Sequence, residues 1–160
     1  MLKQSGFLLI LILFLSACEK EETYSVIPEI KLEGFKVNKN NTTGLEGFLF
    51  GSLSFSFTDG DGDIGFFENS DSSYHGPVIY DIFIYEYTKT NSAFALNDTI
   101  EYWLPSFQQG VLKGTIELEL THTVNDADTV YYDFYIIDRS FHESNKITTP
   151  VYIYSELAQQ

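Results

Sequence analysis

From residue 28 to the C-terminus, apolar residues recur at every second position, and no stretch longer than about two helical turns carries a period near 3.6. A chain patterned in this way has to fold as sheets. Ser52, Ser54 and Ser56 alternate with Leu53, Phe55 and Phe57, and Glu117, Glu119 and Thr121 alternate with Ile116, Leu118 and Leu120. Each segment buries one face and wets the other. Turn-forming residues separate such runs, and the spacing predicts seven antiparallel strands near 28–37, 47–57, 78–88, 98–104, 113–121, 129–138 and 147–155. Aromatic residues make up 16% of the chain, a folded, β-rich composition and not a disordered one.

Within the sixth predicted strand, Asp128-Thr129-Val130-Tyr131-Tyr132-Asp133-Phe134 is similar to the immunoglobulin Asp-Ser/Thr-Ala-x-Tyr-x-Cys string, with Phe134 in place of the cysteine. Together with seven short strands, the resemblance implies an all-β, seven-stranded antiparallel immunoglobulin-like sandwich, with Tyr132 at the tyrosine-corner position. The inter-sheet disulfide is absent, and Trp103 falls on the fourth strand instead of the third, so membership in an antibody-type family is not implied.

At the N-terminus, Lys3 precedes an apolar run from Phe7 to Leu15, far too short to cross about 30 Å of hydrocarbon as a permanent helix. It reads as a cleaved signal. Leu15-Ser16-Ala17-Cys18 resembles a bacterial lipobox, and the resemblance implies that Cys18 receives a diacylglycerol thioether and further acyl chains such as palmitate. Acyl chains at about 0.8 kcal/mol per buried methylene would hold the chain on a membrane. The plainer alternative is a short uncleaved anchor with an inert cysteine; a single cysteine allows no internal disulfide in either case.

The next residues, Glu19, Lys20, Glu21 and Glu22, resemble the export signal of Bacteroidetes surface lipoproteins, which implies display on the outer face of the outer membrane. An ordinary solvated acidic tether explains them too. The expected organisation is a signal over 1–17, an acylated cysteine and tether over 18–27, and one domain over 28–160. Removal of residues 1–17 leaves all 23 acidic residues and 8 of the 9 basic ones, a net charge of −15, which disfavours nucleic acid and anionic lipid as partners.

The second predicted strand runs into Thr58-Asp59-Gly60-Asp61-Gly62-Asp63-Ile64-Gly65. Glycines between the three carboxylates let the backbone curl until their oxygens converge, as a hard cation with six to eight oxygen ligands requires. An all-oxygen set favours calcium over zinc. The loop is not an EF-hand, because its sixth and twelfth positions are Ile64 and Ser70 where that loop needs glycine and glutamate. A solvated acidic loop of Asp-Gly turns is the alternative.

In an immunoglobulin-like sandwich the loops after the second and sixth strands share a pole, which adds Asp138, Glu68 and Asp71 as candidate ligands and Arg139 as a partner for a spare carboxylate. Asp138 to Asn145, Asp-Arg-Ser-Phe-His-Glu-Ser-Asn, resembles the Asp-Arg-Ala-Gly-Asn-x-Ser-Asn string that recurs with Asp-Gly-Asp-Gly-Asp-Ile-Gly in small Bacteroidetes lipoproteins of immunoglobulin-like fold. Those proteins mostly have no assigned activity. Phe141 and His142 stand here in place of the Gly-Asn pair. The first strand begins at the same pole, so a bound ion would stiffen the end next to the tether.

With Ile82, Ile84, Phe134, Ile136, Val151 and Ile153 pointing inward, the opposite face would carry Tyr85, Tyr87, Tyr131, Tyr135, Tyr152 and Tyr154 beside Phe83, Asp81 and Asp133. Such a face suits a sugar or a protein partner, and equally suits plain cross-strand pairing. His75 and His142 could join the aspartates in a metal-dependent hydrolase. No nucleophile elbow, paired glutamate acid or HExxH helix is present, so catalysis is not expected. Asp98-Thr99-Ile100 and Asp128-Thr129-Val130 resemble the O-glycosylation motif of Bacteroidetes exported proteins, marking Thr99 and Thr129. The expected role is an outer-membrane surface lipoprotein acting as a calcium-stabilised binding or accessory module, for a protein or glycan partner. The runner-up is a carbohydrate-binding component of a glycan-uptake system.

Overall fold

The computed structural model describes residues 23–39, 48–65, 80–105, 110–123 and 127–159. Within them the strands are β1 (Glu29–Lys39), β2 (Phe48–Asp59), β3 (Ile82–Thr90), β4 (Ala93–Tyr102), β5 (Leu112–Thr123), β6 (Thr129–Ile136), β7 (Ile147–Thr148) and β8 (Tyr152–Ile153), followed by a short helix α1 (Tyr154–Leu157). All pairings are antiparallel, in two sheets ordered β1-β2-β5 and β4-β3-β6-β7, with β8 also on β6. The all-β expectation holds.

Alternation explains the central strand. Leu53, Phe55 and Phe57 of β2 are buried, while on its wet face Ser56 Oγ donates to Glu33 Oε1 (2.6 Å) and Ser52 Oγ to the Glu117 carboxylate. From the other sheet Ile82, Ile84, Val130, Phe134 and Ile136 close the core, and the rings of Phe55 and Phe134 meet at 5.1 Å. Truncating Phe55 to alanine would cost about 3–5 kcal/mol.

The Ser144-Asn145 pair has a defined job. Ser144 N–H donates to Ile136 O (2.9 Å) and its Oγ accepts from Ile136 N–H (3.1 Å), so the hydroxyl stands where a ladder carbonyl would. Asn145 then pairs its carboxamide with the main chain of β1, accepting from Ile30 N–H (2.8 Å) and donating to Ile30 O (2.9 Å). One side chain thus ties the two sheets together.

Strand count and phase depart from expectation in the last segment. Pro150 has no N–H to donate, and the single strand predicted over 147–155 is split into β7 and β8 around it, giving eight strands where seven were expected. Thr149 spans the gap: its N–H donates to Tyr132 O (2.9 Å) and its Oγ1 accepts from Tyr132 N–H (3.0 Å). After the break the side chains change sides. Val151 is exposed, Tyr152 is half-buried with its ring stacked 4.4 Å from Phe35, and Tyr154 is fully buried. Tyr154 opens α1, where its N–H donates to Asp128 O and the next residue, Ser155, is held by the Asp128 carboxylate.

Both ends of the fourth strand also moved. β4, which pairs with β3, begins at Ala93, earlier than the expected 98, because Asn91 (φ 50) and Ser92 (φ 72) form a two-residue hairpin turn without the glycine that usually announces one. β4 ends at Tyr102, so Trp103 lies just beyond the strand. Tyr132 is buried, and its hydroxyl donates to Glu86 Oε2 (3.1 Å) and shares a bond with the Tyr154 hydroxyl (2.7 Å), joining a side-chain cluster in the core. Burial holds both hydroxyls above the ordinary tyrosine range, helped at Tyr132 by Tyr154 and then Glu86 and at Tyr154 by Glu86 against the opposing Tyr132 bond, so both stay protonated.

Candidate metal centre

The inward face of β2 continues one step past its last phenylalanine. Positions 53, 55, 57 and 59 alternate inward, and the same phase that buries Phe57 buries Asp59 completely. The chain then turns: Gly60 N–H donates to Ser25 O (2.7 Å), and Gly62 adopts φ 71 against Gly110, where any Cβ would collide with the Gly110 carbonyl. Only glycine fits there. Gly110 N–H also donates to Asp61 O (3.3 Å), pinning the loop to the entry of β5.

The loop after β6 closes the other side. Arg139 N–H donates to Asp63 O (3.0 Å), Ser140 Oγ donates to Asp63 Oδ2 (2.8 Å), and the Arg139 guanidinium reaches Gly62 O (3.4 Å). Asp63 N–H donates to Asp59 Oδ2 (2.9 Å). The two loops therefore meet at one pole, main chain to main chain. One carboxylate oxygen each from Asp59, Asp61 and Asp63 lies within 4.8 Å of the others, with Asp59 buried, Asp63 half-buried and Asp61 exposed.

Two oxygens of this group lack a hydrogen-bond partner: Asp59 Oδ1 and Asp63 Oδ1, both shielded from solvent. A buried acceptor with no donor is costly, by about 1–3 kcal/mol or more when charged. Desolvation, and then the Asp61 charge beside it, push the Asp59 carboxyl up from 3.8 to about 6, against the pull of the Asp63 N–H. The donor set is oxygen throughout, the unmatched oxygens are buried, and the charges repel. The cluster could hold a metal ion.

No protein-family model, curated protein or solved structure matches the chain.

Asp138 is fully buried but stands outside the carboxylate cluster. It accepts from His142 N–H (2.7 Å) and bonds the His142 ring at Nδ1 (2.9 Å), which folds residues 138–142 into a turn. That turn places Phe141 at φ 62, the left-handed region, at the position where the resembling string carries glycine. Asp138 thus shapes the wall of the cradle and is not gathered into it. Glu68, Asp71 and His75 lie outside the described residues, as does Cys18.

On the outer face of the second sheet Tyr87 and Tyr131 stack at 4.8 Å and 5°, Tyr135 stacks with Phe83 at 5.2 Å and lies 6.4 Å from Tyr85, and Lys146 Nζ sits 4.6 Å over the Tyr135 ring. Four of the six predicted face tyrosines are there. Tyr152 and Tyr154 are not, because the break at Pro150 turned them inward. Asp81 was also assigned to this face; it is buried instead, accepting from Gly65 N–H (3.1 Å) and Leu104 N–H (2.6 Å), and so anchors the exit of the acidic loop. Thr99 is exposed on β4, while Thr129 is half-buried opposite Ile153.

Sequence reasoning overlooked Glu86 and His122. Glu86 is buried, accepting from Asn97 Nδ2 (2.7 Å) and Tyr132, and His122 stacks 4.1 Å from the Tyr154 ring. Glu86 does follow Ile82 and Ile84 in inward phase, which was its one visible signal.

Proposed function

We propose that this chain is a lipid-anchored protein of the outer-membrane surface whose immunoglobulin-like sandwich is stiffened by calcium bound at Asp59, Asp61 and Asp63, and which acts as a binding or accessory module, not an enzyme. The observation that carries the metal is the pair of buried, unmatched oxygens, Asp59 Oδ1 and Asp63 Oδ1. Calcium is the hard, oxygen-seeking cation that suits a flexible carboxylate set of this kind, with water or main-chain oxygens completing its six to eight ligands. Anchoring rests on the resemblance of Leu15-Ser16-Ala17-Cys18 to a lipobox, and the sandwich class on the two antiparallel sheets with β2 and β6 among their inner strands.

The non-enzymatic reading is supported by His142, whose Nδ1 bonds Asp138 and not a site among the aspartates. The test is thermal unfolding of residues 19–160. Calcium at one hundred times its Kd should stabilise the protein by about 2.7 kcal/mol. Asp61→Ala should abolish the gain, and an unresponsive parent would refute the metal site.

A second reading, glycan binding, is favoured by Tyr85, Tyr87, Tyr131 and Tyr135 lying together on the outer face beside Asp133. Absence of binding on a glycan array would end it.

A further inference from the structure

Most of the exposed large hydrophobic residues gather at one pole. Val26, Ile27, Trp103, Val111 and Phe141 are between 50% and 66% exposed, and among the described residues only Phe94, Leu96 and Val151 join them in that class. Contacts with the acidic loop locate all five. Ser25, next to Val26, accepts from Gly60; Gly110, next to Val111, donates to Asp61; and Arg139, two residues before Phe141, donates to Asp63. Trp103 precedes Leu104, whose N–H shares the Asp81 carboxylate with Gly65. A group of exposed apolar residues at one end, including a tryptophan, is the form of surface that enters a membrane interface.

The chain itself supplies the occupant. The described structure begins at Thr23 on this pole, and Cys18 is five residues upstream, a reach of at most about 18 Å when fully extended. Acyl chains on Cys18 would therefore hold this end against lipid. We propose that the pole docks on the membrane surface that receives the anchor, with Trp103, Val111 and Phe141 entering the boundary between headgroups and acyl chains. The domain then lies against the membrane instead of standing away from it on a stalk. The lipid that suits it is zwitterionic, because the processed chain, with 23 acidic and 8 basic residues and a net charge of −15, is repelled by anionic headgroups. This inference rests on the lipoprotein reading.

Trp103 is the only tryptophan, so its fluorescence reports this surface alone. The test uses the full chain as processed by the cell, reconstituted into phosphatidylcholine vesicles whose acyl chains are brominated near the headgroup, with its intact mass recorded. Expected are acyl mass on Cys18, Trp103 emission at shorter wavelength than in the Val111→Ser/Phe141→Gly variant, and bromine quenching that the variant loses. Phe141→Gly suits a positive φ and Val111 is exposed, so the variant keeps its fold, which circular dichroism verifies. An acylated chain whose Trp103 escapes quenching overturns the docking alone. A chain without acyl mass overturns the anchor and the docking together.

Discussion

Replacing a fully buried aspartate with asparagine usually weakens a protein, yet Asp59→Asn should strengthen this one when calcium is withheld. In the folded chain Asp59 ionises near 6 against an ordinary 3.8, and at 1.36 kcal/mol per pH unit that interval corresponds to about 3 kcal/mol. The sign follows from proton binding. Below 3.8 the carboxyl is protonated whether the chain is folded or not and imposes no penalty; between 3.8 and about 6 the folded state holds the extra proton; above 6 the full cost is present. Calcium-free protein therefore loses stability as pH rises through that window. Asparagine carries no charge, can still accept from Asp63 N–H, and turns an amide towards the remaining carboxylates. Allowing for the buried amide, Asp59→Asn should gain about 2 kcal/mol at pH 7, or roughly 8 °C in Tm for a domain of this size. Circular-dichroism melts of parent and variant in EDTA between pH 3.5 and 8 isolate the effect, since other titrations cancel in the difference. Adding calcium should reverse the order, raising the parent and leaving the variant unmoved. A variant weaker than the parent by the same amount at pH 3.5 and pH 7 would show that the aspartates do not repel, and the reasoning would fail.

Asn145→Ala removes both hydrogen bonds to Ile30 and should lower stability by about 2 kcal/mol in urea unfolding. Phe141→Gly should raise stability by about 1 kcal/mol by relieving φ 62, read from the same melts; a loss would mean that the ring outweighs the backbone. Tyr154→Phe strips the hydroxyl bonded to Tyr132 inside the core and should cost about 1–2 kcal/mol without altering calcium binding, because the cluster lies on other elements than the aspartates.

Residues with one wet and one dry face were legible. Ser52 to Phe57 and Ile116 to Thr121 alternate because their sheet meets water on one side only, and both strands lie where the pattern puts them. The acidic loop was legible for a related reason: its aspartates continue the phase of β2, and its glycines mark tight approaches, Gly60 to Tyr24 and Ser25 and Gly62 to Gly110. β4 was misread because Ala93 to Thr99 are all exposed, so nothing imposes a period on them, and the turn at Asn91-Ser92 lacks its usual glycine. At Pro150 the ladder is interrupted and the inward phase is lost beyond it: Val151 is exposed, and Tyr154 turned from a surface tyrosine into a core one. Asp138 could not be excluded from the metal set by spacing alone, since its engagement with His142 depends on how the 138–142 turn closes.

The most direct measurement is a calorimetric calcium titration of metal-stripped residues 19–160 at pH 7, run alongside Asp59→Asn. The proposed calcium site requires one calcium per chain in the parent and none in the variant; a parent that takes up no calcium, or a variant that binds as the parent does, contradicts it.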